Sequence, residues 1–381
     1  MYQDFDKVMN AVHSRYSDPH VIVAISGGVD SAVTALLLKN AGVNLTAIFM
    51  KNWNEPDEFG QCRWEEDVGD ALDVCEKLDI PINTVDLSQS YWDGVFAEFL
   101  REYKLGRTPN PDILCNREVK FKAFLEHIDS LGGDIIATGH YAQITSSVDG
   151  DFQLRRGLDP NKDQSYFLYA LNQHQLARSI FPIGGLDKPL VRNLAKEAGL
   201  GVHTKRDSTG ICFIGERKFR DFLSGYIATK PGPIKTREGT VIGEHTGVAF
   251  YTMGQREGLG IGGVKDYPPG PWFVADKNAE TNELIVTQGH NHPSMMSEKL
   301  IADQVHWVAG RAPSFPLDCT AQTRYRQKDA ACRVRQLDDD LIEVEFQQPQ
   351  RAVTPGQSVV FYEGAVCVGG AIINSMSKNA G

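Results

Sequence analysis

The stretch VIVAISGGVDSAVTALLLKN, residues 21–40, sets a short apolar run against a helical pattern, with Ser26-Gly27-Gly28-Val29-Asp30-Ser31 between them. VIVAI at 21–25 has the length and β-branched content of a strand buried on both faces, and SAVTALLLKN at 31–40 reads as a buried helix. The alternation continues outward through LTAIFM at 45–50, EEDVGDALDVCEKL at 65–78, INTVDL at 82–87 and DIIAT at 134–138. This β-α-β-α-β order predicts an α/β fold with a doubly wound parallel sheet. Such sheets bind ligands at the carboxyl ends of their strands, so the loops after residues 25, 50 and 138 should surround one crevice.

Downstream, a helical pattern covers about 185–225, with Asp187 and Pro189 opening one helix and Gly199 closing it. From about 230 glycine and proline become dense, and VAFYTM, WFVAD and ELIVTQ read as strands of a small β domain. ACRVRQL, LIEVEF, QSVVFY and AVCVGGAII then form a second β stretch over about 298–376, spaced for a barrel or sandwich. The expected division is 1–225, 226–295 and 296–381: an α/β domain, a central β domain and a barrel-like β domain.

Composition bounds the function. The 381 residues are 41% apolar and 23% charged, as in soluble folded chains, and no apolar run reaches the roughly 18 residues of a spanning helix, so a cytoplasmic protein is expected. Seven cysteines, at 62, 75, 115, 212, 319, 332 and 367, form no CxxC pair, which argues against both a disulfide framework and a zinc site. The net charge of −10 speaks against a broad polyanion-binding surface, so any RNA partner must meet a local basic patch.

Two adjacent glycines between a strand and a helix let the backbone aim several N–H groups at one point, and the helix start adds its positive dipole end. Serine hydroxyls at 26 and 31 add donors. A plain strand-to-helix turn is the better reading of Gly-Gly alone, but its coincidence here with Asp30 and the serines favours a phosphate site. The loop lacks both the Walker GK[ST] ending and the spacing of a dinucleotide fingerprint.

In PNPDILCN at 109–116, prolines hold the chain extended up to Asp112, so Asp112 and Cys115 fall on one face of a helix start, where a thiolate is favoured. The alternative is a buried structural cysteine beside a capping aspartate. In KRDSTGICFIG at 205–215, basic residues and a polar loop precede Cys212, and the residues alone leave that thiol open between a structural and a reactive role. Cys62, Cys75, Cys319, Cys332 and Cys367 lie in helical or strand patterns as small buried hydrophobes.

Taken together, SGGVDS, PNPDILCN and DSTGICFIG resemble the tRNA-specific 2-thiouridylases, the MnmA/TrmU family of PP-loop ATP pyrophosphatases. The resemblance runs essentially the full length, through ATGHYA at 137–142, NKDQSYFLY at 161–169 and GEHTGVAFYTMGQREGLGIGG at 243–263. It implies an adenine nucleotide alpha hydrolase-like first domain and a tRNA-uridine 2-sulfurtransferase that adenylates the wobble uracil and transfers persulfide sulfur. By that resemblance ATP meets Ala24, Ile25, Ser26, Gly27, Gly28, Val29, Asp30, Ser31, Met50 and Gly139, with Mg2+ inferred from the triphosphate and no ligand motif found for it. Cys212 would carry the persulfide, Cys115 would be its partner nucleophile, and Asp112 the acid-base or orienting carboxylate, so the two thiols must converge in the reactive state.

The resemblance also assigns RNA contacts. Asn110, Pro111 and Asp112 would face the target base, His140 and Gln357 would line its path, and Lys162, Asp163, Gln164, Arg324 and Tyr325 would touch the tRNA. Arg311, Arg324, Arg326, Lys328, Arg333 and Arg335, set against Asp318 and Asp329, supply the basic patch that an acidic protein needs. The implied partners are the tRNA anticodon stem-loop and a sulfur donor, either a cysteine desulfurase or a relay protein, for a monomeric enzyme with no membrane attachment. Two rivals remain. A PP-loop amidating ligase would have no use for the two thiols, and a non-catalytic tRNA-binding protein would release no AMP.

Overall fold

A computed structural model describes residues 3–54, 64–207, 219–227 and 229–377. Five parallel strands form the first sheet: β1 (His20–Ile25), β2 (Asn44–Lys51), β3 (Ile82–Asp86), β4 (Ile135–Ala137) and, after a hairpin of β5 (Ala142–Ser146) and β6 (Phe152–Arg156), the two-residue β7 (Ser179–Ile180). Their order is β3-β2-β1-β4-β7. The chain winds one way from β1 to β3 and the other way from β4, so the crevice lies beyond the carboxyl ends of β1 and β4. Val21, Ile22 and Val23 are fully buried, which is why the strand reads as an unbroken apolar run. The following helix, Val29–Asn40, is apolar on nearly every face because it too is covered all round, with Ala32, Val33, Ala35 and Leu38 fully buried. The predicted helices at 65–78 and after Asp187 are present as Trp64–Leu78 and Lys188–Glu197. Asp187 caps the second by accepting from the Leu190 N–H at 2.8 Å.

The central domain is a four-stranded sheet in the order β10-β11-β8-β9, made of β8 (Gly232–Thr236), β9 (Val241–His245), β10 (Trp272–Asn278) and β11 (Glu283–Gln288). The C-terminal domain is a closed antiparallel barrel of six strands: β12 (Met296–Trp307), β13 (Leu317–Gln322), β14 (Ala330–Asp338), β15 (Leu341–Arg351), β16 (Ser358–Glu363) and β17 (Val366–Met376). Pairing of β12 with β17 closes it, from Leu300 opposite Met376 to Trp307 opposite Gly369. Closure leaves no open edge in the ring. Among the described residues no helix is long and apolar enough to cross a membrane.

One connection escaped the sequence reading. The hairpin β5–β6 leaves the parallel sheet and joins the barrel, with Leu154 and Arg155 of β6 opposite Cys367 and Val366 of β17. Arg156 secures the junction: its guanidinium lies 3.6 Å over the Tyr362 ring, grips both oxygens of Asp329 at 2.8 and 2.9 Å and reaches Asp163 at 3.2 Å. This largely buried, multiply bonded cation predicts that Arg156→Ala costs about 2 kcal/mol. Lysine at 156, lacking the planar fork, should recover less than half of the lost stability in thermal or urea unfolding.

Candidate nucleotide and sulfur-transfer site

At the end of β1, Ala24 and Ile25 are buried and the chain turns through Ser26, Gly27 and Gly28 into the helix Val29–Asn40. Gly27 has φ +70°, and a Cβ there would sit 2.2 Å from the Asp67 carbonyl oxygen, so only glycine allows this approach. The Ser31 hydroxyl donates to the Gly28 carbonyl at 3.0 Å and accepts from the Ser26 N–H at 3.1 Å. Ser31 is thus a buried brace of the loop, whereas Ser26 is exposed and its hydroxyl lies 3.1 Å from the Ser31 hydroxyl. No side chain caps the first turn, leaving its N–H groups directed at the crevice. Gly139, after β4, closes over this turn: a Cβ on it would lie 2.8 Å from the Asp30 carbonyl carbon and from the Ser31 nitrogen. Met50, near the end of β2, is half-buried on the adjoining core. The turn at 26–31 and Gly139 are therefore in direct contact at the carboxyl ends of β1 and β4, with Met50 near the end of the neighbouring β2.

The carboxylate of Asp30 accepts from the Tyr141 hydroxyl at 2.8 Å and pairs with Lys188 at 2.7 and 2.8 Å. Burial first, and then the Asp30 charge, push the Tyr141 phenol well above its ordinary pKa, so it is a permanent donor. Lys188 also reaches Asp207 at 2.8 Å, and Asp207 pairs further with Arg192 at 2.7 Å and with Lys162. Burial opposes the charge of Asp207, but hydrogen bonds from Lys162 and Lys188 prevail and hold its pKa at about 2. Neither Tyr141, Lys188 nor Asp207 was singled out in the sequence. The first lies inside ATGHYA and the second beside a helix cap, and nothing local marks either as facing the loop.

Asp112 and Cys115 stand at the start of a second helical segment. Pro111–Leu114 is a single α-turn that passes directly into a π-helix, Cys115–Ala123, a form that recurs at functional sites. Asn110 caps the turn by accepting from the Asp112 N–H at 3.2 Å, and Pro111 occupies the first helical position, where no N–H is needed. Cys115 is buried. Burial raises the Asp112 carboxyl pKa, with Lys120 pulling it back. Burial also pushes His140 well below its usual value, again with Lys120 acting on it, so the imidazole is neutral. The His140 ring meets Phe121 and Phe181, each at 5.7 Å, and Nδ1 lies 2.7 Å from the Thr138 hydroxyl. Cys212 and Cys62 lie outside the described residues.

The segment before Asn110 is clamped by both β domains. The Thr108 N–H donates to the Pro355 carbonyl at 3.0 Å, and Gln357 donates to the carbonyls of Thr108 at 2.7 Å and Pro109 at 3.3 Å. From the central sheet Lys277 donates to the Thr108 hydroxyl at 3.3 Å and to the Tyr251 carbonyl at 2.8 Å, burial lowering its pKa to about 8. In this structure Gln357 grips the loop that carries the candidate base-facing residues.

Lys162, Asp163 and Tyr325, together with Arg326, line a cleft of about 410 Å3. Asp163 itself is a structural acceptor, taking the N–H groups of Gly157 at 3.0 Å and Ser165 at 3.1 Å. Gln164 is likewise bound through both backbone and side chain to Tyr141. The continuous basic patch needs correction. Arg311 pairs with Asp151, Arg333 with Asp318 directly across the β13–β14 pair, and Arg335 with Glu343 and Glu345 on β15. Arg324 turns inward, its Nη2 donating to the carbonyls of Met253 at 2.8 Å and Ala352 at 2.6 Å, and burial lowers its pKa. A count along the sequence misses partners supplied across strands. Arg326 and Lys328 remain exposed, with no ion pair among the described residues.

Three family profiles cover most of the chain: a tRNA methyl transferase HUP domain at 19–216, a tRNA methyl transferase PRC-barrel domain at 220–288 and an aminomethyltransferase beta-barrel domain at 297–373. A curated tRNA-specific 2-thiouridylase MnmA from Francisella tularensis subsp. holarctica is 56% identical over 353 residues, 93% of this chain and 98% of that protein. Its counterpart from Proteus mirabilis is 56% identical over 360 residues, 94% of this chain and 98% of that protein. Among solved structures, the U34-tRNA thiolase NcsA from Methanococcus maripaludis matches at 18% identity and TM-score 0.35, covering 59% of this chain and 72% of that one, a likeness too low to carry an argument.

The close seat of Gly139 on the nucleotide turn generates a test. Gly139→Ala should push Asp30 and Ser31 out of place and weaken ATP binding at least about tenfold, some 1.4 kcal/mol, by calorimetry. Because the contact is with backbone, some loss of stability is expected as well, so affinity is compared on protein shown to be folded; unchanged ATP affinity would remove Gly139 from the site.

Proposed function

The chain belongs to the tRNA-specific 2-thiouridylase family of sulfurtransferases, and on that premise we propose that it replaces the 2-oxygen of the tRNA wobble uridine with sulfur after activating it with ATP. The observation that carries the reading is the ion-paired junction Asp30–Lys188–Asp207, which ties the glycine-rich loop to Asp207, five positions before Cys212 in the sequence.

The uracil 2-oxygen is a poor leaving group. Its attack on the α-phosphorus of ATP releases pyrophosphate and leaves AMP bound to that oxygen, which then departs with the oxygen when sulfur adds to C2. The first turn of Val29–Asn40, with no side chain capping its N–H groups and with the exposed Ser26 beside it, suits the phosphates. A triphosphate cleaved at its α-phosphorus would bring Mg2+ as its counter-ion, which would offset the charge of the departing pyrophosphate. The half-buried Asp112 carboxyl, with its raised pKa, suits an acid-base or orienting role beside the base.

Cys212 would hold the sulfur as a persulfide received from a cysteine desulfurase or relay protein. If its terminal sulfur attacks C2 directly, AMP leaves, and Cys115 then attacks the Cys212 sulfur, releasing 2-thiouridine. If Cys115 attacks first, hydrosulfide leaves and adds to C2. Both routes end in a Cys115–Cys212 disulfide, which a thiol reductant resets. For the tRNA, the cleft of Lys162, Tyr325 and Arg326 offers cations beside an aromatic face, suited to a phosphate and a stacked base. A splayed wobble base costs little extra in an already open anticodon loop.

Two outcomes are expected. Cys212→Ser should take up no labelled sulfur from a desulfurase, whereas Cys115→Ser should retain label on Cys212 and form no 2-thiouridine; label on the Cys212→Ser protein would reverse the assignment. The thiolation rate at limiting tRNA should rise with pH through the raised pKa of Asp112, on an acid limb above the usual carboxylate range, and Asp112→Asn should abolish that limb.

A further inference from the structure

Lys188 opens a ten-residue helix, Lys188–Glu197, where the positive end of the helix dipole disfavours a cation, and yet the residue is only 8% exposed. A lysine at a helix start ordinarily extends its ammonium into water. This one is directed inward. Its nitrogen lies 2.7 and 2.8 Å from the Asp30 oxygens and 2.8 Å from Asp207, with the Tyr141 ring centroid 5.7 Å away. Its backbone is fixed as well, the Lys188 N–H donating to Asp159 at 3.1 Å. Asp30 stands in the first turn of the nucleotide helix, so the ammonium adjoins the phosphate crevice.

The pairing is unequal. Asp207 receives three cations, Lys162, Lys188 and Arg192, where one would neutralise it. Lys188 can therefore turn away from Asp207 without leaving a bare buried carboxylate. An ammonium held beside a helix N-terminus, close to Asp30 and surplus to Asp207, is arranged to change partner when a stronger anion arrives.

We propose that Lys188 is the phosphate cation of this site: it takes the β- and γ-phosphates of ATP and holds the pyrophosphate as it departs, with Asp30 and Asp207 as its resting partners. The inference rests on the reading that the loop binds ATP. As the uracil oxygen bonds to the α-phosphorus, the bond from that phosphorus to the bridging oxygen breaks and its electron pair passes to the pyrophosphate. Lys188 meets that developing charge and keeps its proton throughout.

The test is binding of inorganic pyrophosphate to the full chain by calorimetry, with tRNA-dependent AMP formation by the wild type as a separate control. Lys188→Met should weaken pyrophosphate binding at least about tenfold, the loss of one charge-assisted contact. Asp207→Asn, which keeps the shape but releases Lys188 from one partner, should tighten it. A purely structural bridge predicts that neither variant moves pyrophosphate binding, and that result would overturn the inference, as would a wild type that binds no pyrophosphate. If Lys188→Met fails to fold, Asp207→Asn decides alone: tighter binding supports the assignment, unchanged or weaker binding overturns it. A wild type that forms AMP with tRNA while the inference fails leaves the proposed reaction standing; a wild type that forms none removes the reaction itself.

Discussion

The grip on Thr108 and Pro109 is the constraint on which the rest of the arrangement depends. The helix start that carries Asp112 and Cys115 belongs to the first domain, yet the residues just before it are held by Pro355 and Gln357 of the barrel and by Lys277 of the central sheet. Proline at 109 and 111 denies this stretch hydrogen bonds of its own, so its position must be imposed from outside. The two β domains thus act as the jig for the loop that carries Asp112 and Cys115. Lys277, buried deeply enough to lower its pKa to about 8, bears the desolvation cost of that contact.

Charge in this molecule is managed by pairing across elements. A chain of net charge −10 keeps few free cations on the barrel: Arg333 is paired with Asp318, and Arg335 with Glu343 and Glu345, on neighbouring strands, and Arg311 with Asp151. What survives is concentrated in two places: the cleft beside Tyr325 and the crowded carboxylate of Asp207. The first is exposed and polar; the second is largely enclosed, where a charge exerts a greater effect.

Much of this was legible in the sequence, for physical reasons. A double-sided buried strand cannot alternate, so VIVAI announced the parallel sheet; Gly27 and Gly28 announced the turn; Asp187 announced a helix start it does cap. The barrel strands were visible as β-branched runs. Three things were not. β7 is two residues long and exists only because β4 offers it an edge. The π-helix after Leu114 has no side-chain period that separates it from an α-helix over nine residues. Lys188 owes its importance to an encounter with Asp30, 158 positions away in the chain, and Asp207 to its pairing with that same Lys188, which no local pattern encodes. The basic patch failed for the same reason in reverse: adjacency in sequence suggested a field that cross-strand partners extinguish.

The hairpin β5–β6 has a consequence for modularity. Residues 142–156 are encoded within the first domain but are built into the wall of the third, about two hundred positions later, through Leu154 opposite Cys367 and through Arg156 on Tyr362 and Asp329. The first and third domains are therefore stitched rather than strung. A chimera that exchanges the barrel between two relatives at the obvious linker would bring together a hairpin and a wall that were never matched, whereas one that moves residues 142–156 together with the barrel preserves the seam. Recombination among relatives should respect that unit, and the third domain is inherited with a piece of the first.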